Sequence, residues 1–252
     1  MQHPGALGSG EHQTFVSPEG EGRISLVIPV LNEETCLPRL LDTVDRQTVQ
    51  PQEVIVVDGG STDGTHAIAQ ERASMLLKGG SLPGISRNYG AEWASAEWLL
   101  FLDADVRLPQ DALEVAMQQV RDRSLDAVSC AFTPDRRDPG VRLHHWLSSE
   151  YFWLTSKVGW CHSIGAFLLV RRELHNRIGG FDHTVHVAED QDYVLRLNRA
   201  GRYAYLRRPV VEVATRRFDR QGMLRMSAKW FGIEAHRLLL GEIRDNRFDY
   251  FS

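Results

Sequence analysis

From Arg23 onward the chain alternates short apolar runs with stretches whose apolar residues recur every three or four positions. Ile24-Ser-Leu-Val-Ile-Pro29, Glu53-Val-Ile-Val-Val57 and Trp98-Leu-Leu-Phe-Leu102 are such runs, each stopped by Pro or Asp, and each predicts a buried strand. Residues 74–77, 127–132 and 164–170 extend the series as further strands. Helical spacing predicts a helix over 33–47, with Leu37, Leu40, Leu41 and Val44 on one face. A second helix comes after Asp58-Gly59-Gly60, with Thr62 or Asp63 as its N-cap. Further helices are expected over 84–95, 111–120, 139–158, 171–178 and 189–200, the last closed by Gly201 as C-cap. Short strands over 203–206 and 210–213 flank Pro209. Residues 219–240 read as an amphipathic helix with Met223, Met226, Trp230, Ile233 and Leu238 on or near one face.

Strands that are apolar throughout, alternating with helices, predict a single α/β, Rossmann-like domain with a mostly parallel sheet covered on both faces. Its expected limits are 23–218, with a C-terminal helical extension over 219–252. Residues 1–22 hold five Gly and two Pro without apolar periodicity, and are expected to be a flexible leader. In parallel sheets ligands bind beyond the carboxyl ends of the strands. Three of those ends carry polar clusters: Asn32-Glu33, Asp58, and Asp103 with Asp105.

Composition narrows the class. Of 252 residues, 42% are hydrophobic and 25% charged, which excludes a disordered chain, and a net charge of −4 argues against a nucleic-acid binder. The charge is uneven: the 196–237 stretch carries +8, leaving −12 for the remainder. A basic C-terminal face suits an anionic partner, either a phosphate-bearing substrate or a lipid surface, although a solvated Arg-rich helix would look the same. Three cysteines without CxxC spacing fit reduced thiols and a cytoplasmic setting, with contact at the inner membrane face left open. The longest run without polar residues, 164–170, is far below the roughly 20 that a membrane helix needs.

The chemistry-bearing candidates lie at the strand ends. Asp103 and Asp105 project from one turn, where hard oxygen ligands suit Mn²⁺ or Mg²⁺ retaining water and substrate phosphates. By itself such a pair also fits solvated turn aspartates. Asp58-Gly-Gly-Ser-Thr-Asp-Gly-Thr65 can approach a ligand closely, yet has no Lys-Ser/Thr of a phosphate loop. Glu189-Asp-Gln-Asp192 opens a helix, where the macrodipole favours acids and where one carboxylate can serve as a general base. No HExxH or GxSxG is present.

Val27-Ile-Pro-Val-Leu-Asn-Glu33, the Asp58–Thr65 loop, Ser86-Arg-Asn-Tyr-Gly-Ala91, Leu102-Asp-Ala-Asp105, Gly179-Gly-Phe-Asp182 and Glu189-Asp-Gln-Asp192 together resemble glycosyltransferase family 2, in order and in spacing, within a bacterial soluble subgroup. The resemblance implies the GT-A fold, a nucleotide-sugar donor, a divalent metal and inversion at the anomeric carbon. It implies that Pro29, Asn32 and Glu33 line the nucleoside pocket and that Asp58 contacts the base. Arg87 is expected beside the diphosphate, Asp103 near ribose and sugar, and Asp105 on the metal. Asp190 matches the catalytic base, supported by Glu189, and Gly165 and Ala166 match the strand flooring the sugar pocket. Many members carry a His after the last sheet strand; Val211-Glu-Val-Ala-Thr-Arg-Arg217 has none, so Arg216 or Arg217 is expected at the diphosphate instead. UDP is the expected nucleotide from its frequency in the family, with GDP the main rival. The acceptor, lipid-linked or a small molecule, stays open. Two other readings compete: a sugar-phosphate nucleotidyltransferase, which lacks its basic Gly-rich loop here, and a non-catalytic nucleotide-sugar-binding module.

Overall fold

The computed structural model describes residues 22–80, 82–216 and 222–244. Strands β1 (Ile24–Val30), β2 (Glu53–Asp58), β3 (Met75–Lys78) and β4 (Trp98–Leu102) lie in parallel, in the order β3-β2-β1-β4. The same sheet continues through β7 (Phe167–Arg171), β6 (Ala127–Pro134), β8 (Tyr203–Val213) and the two-residue β5 (Val106–Arg107). β6 and β8 are parallel, whereas β7 runs against both β4 and β6, and β5 runs against β8. Helices α1 (Leu37–Asp45), α2 (Thr65–Arg72), α3 (Pro83–Trp93), α4 (Ala112–Arg123), α5 (Pro139–Ser156), α6 (Arg172–Arg177), α7 (Glu189–Ala200) and α8 (Met223–Leu240) cover it.

Apolar residues without alternation arise because both sheet faces are buried. Leu100 and Leu102 pack into one core with Leu37, Leu40 and Leu113, while Leu99 and Phe101 pack into the other with Ala91, Tyr193 and Leu197. The α/β class and the covered, mostly parallel sheet are as the pattern predicts.

Local boundaries differ from expectation for definable reasons. The first helix starts at Leu37 instead of residue 33, because Asn32 adopts φ 55° and Glu33 carbonyl accepts from both Cys36 and Leu37 N–H, forming a turn. Gly165 has φ 73°, so β7 begins at Phe167 and both Gly165 and Ala166 precede the strand expected to contain them. The strands flanking Pro209 are one strand, β8; β6 pairs with it on both sides of a three-residue bulge, Cys130 facing Leu206 and Ala131 facing Val210. Gly201 ends α7 with extended backbone instead of a left-handed cap. The expected leader falls largely outside the described residues, as do Arg217 and the ends of the C-terminal extension. Within that extension, α8 packs Trp230 against the main core and Ile233 against Val187 and Ile243.

Candidate active site

Parallel packing delivers the ends of β1, β2 and β4 to one edge, with Val30 opposite Asp58. Reversal of β7 places its beginning there too, since Phe167 pairs with Leu102. Gly165 therefore stands beside the Asp103 turn.

Arg87 is the centre of the first charge cluster. Its side chain is 3% exposed, donates from Nη1 to Glu189 Oε1 at 2.9 Å and from Nη2 to Asp103 Oδ1 at 2.6 Å, and lies 5.3 Å from the Phe181 ring centroid. Burial would lower its affinity for the proton, but Asp103, Glu189 and Asp190 outweigh that and raise it. The helix that carries Arg87 sits tightly on the sheet because Gly90 has no Cβ; one added there would stand 2.4 Å from Val27 Cγ1.

Asp190 joins this cluster from the first turn of α7. A Cβ on Gly165 would stand 2.9 Å from Arg87 Nη2 and 3.4 Å from both Asp103 Oδ2 and Asp190 Oδ2. Three charged groups from three elements thus converge on the space a glycine leaves. Burial, then Glu189, push the Asp190 carboxyl well above the usual carboxylate range, against the opposing pull of Arg87 and with a further push from Asp103. A carboxylate raised in this way holds a proton more tightly than an ordinary one.

Asp105 belongs to a second cluster. Arg216 Nη2 donates to both oxygens of Glu33, at 2.8 and 2.7 Å, and lies 3.6 Å from Asp105 Oδ2. Burial would lower the Arg216 proton affinity, and Glu33 outweighs it. The backbone fixes this arrangement: Ala214 N–H donates to the Asp105 carbonyl at 3.0 Å, and Thr215 is held by Asp135. Asp103 and Asp105, two residues apart, connect the two clusters.

Asn32 and Asp58 form the third part. Asn32 Oδ1 accepts from Thr62 N–H at 2.9 Å. Asp58 Oδ1 accepts from Gly60 N–H, Ser61 N–H and Ser61 Oγ at 3.1, 2.8 and 2.7 Å, and Oδ2 lies 3.2 Å from His66 Nδ1. Burial would raise this carboxyl, but the hydrogen bonds from Ser61, His66 and Gly60 hold it below the ordinary value. Pro29 lies within β1 opposite Val57, and Ala166 is buried in the main core behind the site.

Some contributors escaped sequence reasoning. Arg237 of α8 donates to Gln191 Oε1 at 2.6 Å and to Glu242 at 2.9 Å, bracing the residue after Asp190. The available signal was an arginine on the buried stripe Met226, Trp230, Ile233, Arg237. Ser61, which anchors Asp58, and Phe181, beneath Arg87, had no signal beyond their motifs.

Among the described residues no group of three His, Cys, Asp or Glu side chains is placed to hold a metal ion. The single hard carboxylate of Asp105, 28% exposed, fits a Mn²⁺ or Mg²⁺ that draws its remaining ligands from diphosphate and water.

The glycosyl transferase family 2 model matches residues 25–179. The putative glycosyltransferase EpsH of Bacillus subtilis is 29% identical over 134 residues, 51% of this chain and 39% of EpsH. An undecaprenyl-phosphate 4-deoxy-4-formamido-L-arabinose transferase of Aeromonas hydrophila is 38% identical over 112 residues, 38% of this chain and 34% of its own. The chain thus spans well under half the length of these curated relatives. Among solved structures, S. aureus TarS with UDP-GlcNAc superposes with TM-score 0.62 at 22% identity, covering 86% of this chain and 65% of that one. The mannosyltransferase PcManGT of Pyrobaculum calidifontis, with GDP-Man and Mn²⁺, gives TM-score 0.62 at 24% identity over 83% and 64%. These structures share its GT-A-like architecture, and the family match extends over more than half of its length: the chain belongs to glycosyl transferase family 2.

Proposed function

We propose that the chain is an inverting glycosyltransferase that moves a sugar from a nucleotide-sugar donor to an acceptor hydroxyl in one displacement. The convergence of Asp103, Asp190 and Arg87 on the space beside Gly165 carries this reading. Asp190 takes the proton of the acceptor hydroxyl as its oxygen bonds to the anomeric carbon. The bond from that carbon to the diphosphate oxygen breaks, and the nucleoside diphosphate leaves with the electron pair. Glu189 holds Arg87 against Asp103, and Arg87 orients Asp103 towards the donor sugar and ribose. Asn32, Glu33, Pro29 and Asp58 border the nucleoside. A divalent cation on Asp105, when bound, neutralises charge on the diphosphate, and Arg216 does the same once it leaves Glu33. Arg217 is a further candidate for that contact.

A UDP-sugar is the first donor reading, in line with the UDP-GlcNAc complex of TarS; the GDP-Man complex of PcManGT makes GDP its rival. Thermal shift with UDP-, GDP- and dTDP-sugars, each with and without Mn²⁺, tests it, because a ligand binding only the folded state raises its melting temperature. A cation-dependent rise with one nucleotide class is expected. No rise with any of them would overturn the donor-binding reading.

A further inference from the structure

Helix α5 carries large apolar residues on both sides, with Glu150, paired with Arg207, the one acid among those of the outer side. Val141, His145, Ser149 and Phe152 face the protein, and on the opposite side Leu143, Trp146, Leu147, Tyr151 and Leu154 are each about half exposed or more. Val158, just past the helix, is 81% exposed. Such a helix is ordinarily covered all round.

The surface continues onto α8. Ser227 Oγ lies 3.2 Å from His144 Nε2, and Glu234 lies 3.5 Å from His162, so the 227/231/234 side of α8 turns towards α5. Phe231 sits between those contacts and is 75% exposed. Cations rim the opposite flank. Lys157 Nζ lies 5.2 Å from the Trp153 ring and Arg142 is exposed, while Arg207, 4.4 Å from the same ring, is paired with Glu150.

We infer that the outer face of α5, extended by Phe231, docks on an anionic lipid bilayer, with α5 lying in the interface. Exposed leucines enter the acyl boundary, Trp146 and Tyr151 occupy the headgroup level, and the cationic rim meets lipid phosphates. A second copy fits the same face poorly. Arg142 and Lys157 stand at opposite ends of α5, so parallel or antiparallel pairing opposes like charges. No described helix is long and apolar enough to cross a membrane. The segment after α5 leads through His162 to Gly165, so docking would bring the proposed active site near the bilayer.

Flotation of the full chain with phosphatidylcholine vesicles, with and without phosphatidylglycerol, needs no turnover, so its outcome is independent of the proposed reaction. Binding to the anionic vesicles, weakened by salt, is expected. Leu147→Glu with Leu154→Glu should reduce binding at least tenfold. Arg142→Ser and Lys157→Ser should each weaken anionic binding about fivefold, whereas Arg123→Ser on α4 should not. If the double glutamate variant fails to fold, quenching of Trp146 by brominated lipid, lost in Trp146→Leu, decides. Absence of flotation, flotation indifferent to these substitutions, or a dimer in solution that Leu154→Glu dissociates would each overturn the inference.

Discussion

Arg87 and Asp103 meet at 2.6 Å between α3 and the turn after β4, while the other arm of the same guanidinium holds Glu189 at 2.9 Å. One planar fork therefore fixes two carboxylates from distant segments. Lysine offers a point charge and cannot span both. Arg87→Lys is expected to cost about 2–3 kcal/mol in urea unfolding, below the 3–5 of a fully buried pair because Asp103 is one-third exposed. A loss under 0.5 kcal/mol would show that the fork does not hold the site.

Gly165→Ala places a methyl where Arg87, Asp103 and Asp190 converge, on backbone with φ 73°. Left-handed backbone alone costs a non-glycine residue about 1–2 kcal/mol. The variant should melt lower and lose transfer more than tenfold, as read by thermal melts and product formation. Transfer at the parental rate would mean that this space is not part of the reacting site.

Asp190 is raised by burial and by Glu189, so the folded protein prefers it protonated. Its contribution to stability is then present at low pH and lost as pH rises through the raised value. Asp190→Asn should accordingly melt above the parent at pH 7, with the difference vanishing below about pH 4. Transfer by this variant should fall about 10²–10⁴-fold with donor binding retained. The parent's rate should rise with pH through the same range. Equal melting of both proteins at every pH would contradict the raised value.

Asp58 has the opposite sign. Burial works against it, yet Ser61, His66 and Gly60 lower it, so its stabilisation is present above the ordinary aspartate value and lost as pH falls through the lower folded one. Asp58→Asn should destabilise by about 1–3 kcal/mol at pH 7, and the two unfolding curves should converge once the pH falls below the lowered folded value. Persistence of the gap at that acidity would assign the loss to loop geometry instead of charge.

Arg216 pairs with Glu33 and approaches Asp105. Arg216→Gln should let Mn²⁺ bind more tightly in the absence of nucleotide and should weaken nucleoside diphosphate binding about tenfold or more, the worth of a hydrogen bond to a charged group. Isothermal titration separates the two effects. Unchanged nucleoside diphosphate binding in the variant would place Arg216 outside the diphosphate contact.

The strands were legible because their sequences encode burial on both faces: Trp98–Leu102 is read without error from five apolar residues between polar ends. Element starts were less so, since Asn32 ahead of α1 and Gly165 ahead of β7 impose left-handed backbone that periodicity does not register. Motif order alone groups Asp103, Asp190 and Arg87 into one site. The split between their cluster and that of Glu33, Asp105 and Arg216 is a tertiary outcome. It depends on β8 delivering Arg216 across the sheet, which no local spacing encodes. Arg237 stayed hidden for the same reason, as its partners Gln191 and Glu242 come from different segments.

The reversed course of β7 has a bearing on how this architecture can diversify. Strands β1, β2 and β4 turn their trailing loops to the edge that holds the Arg87 cluster, but β7 turns its leading segment there, residues 163–166, and carries its trailing α6 to the far rim. Insertions ahead of Phe167 would reshape the proposed reaction site directly. Insertions at the β7–α6 junction, where Arg172 N–H donates to the Glu97 carbonyl, would alter the border opposite the Arg87 cluster.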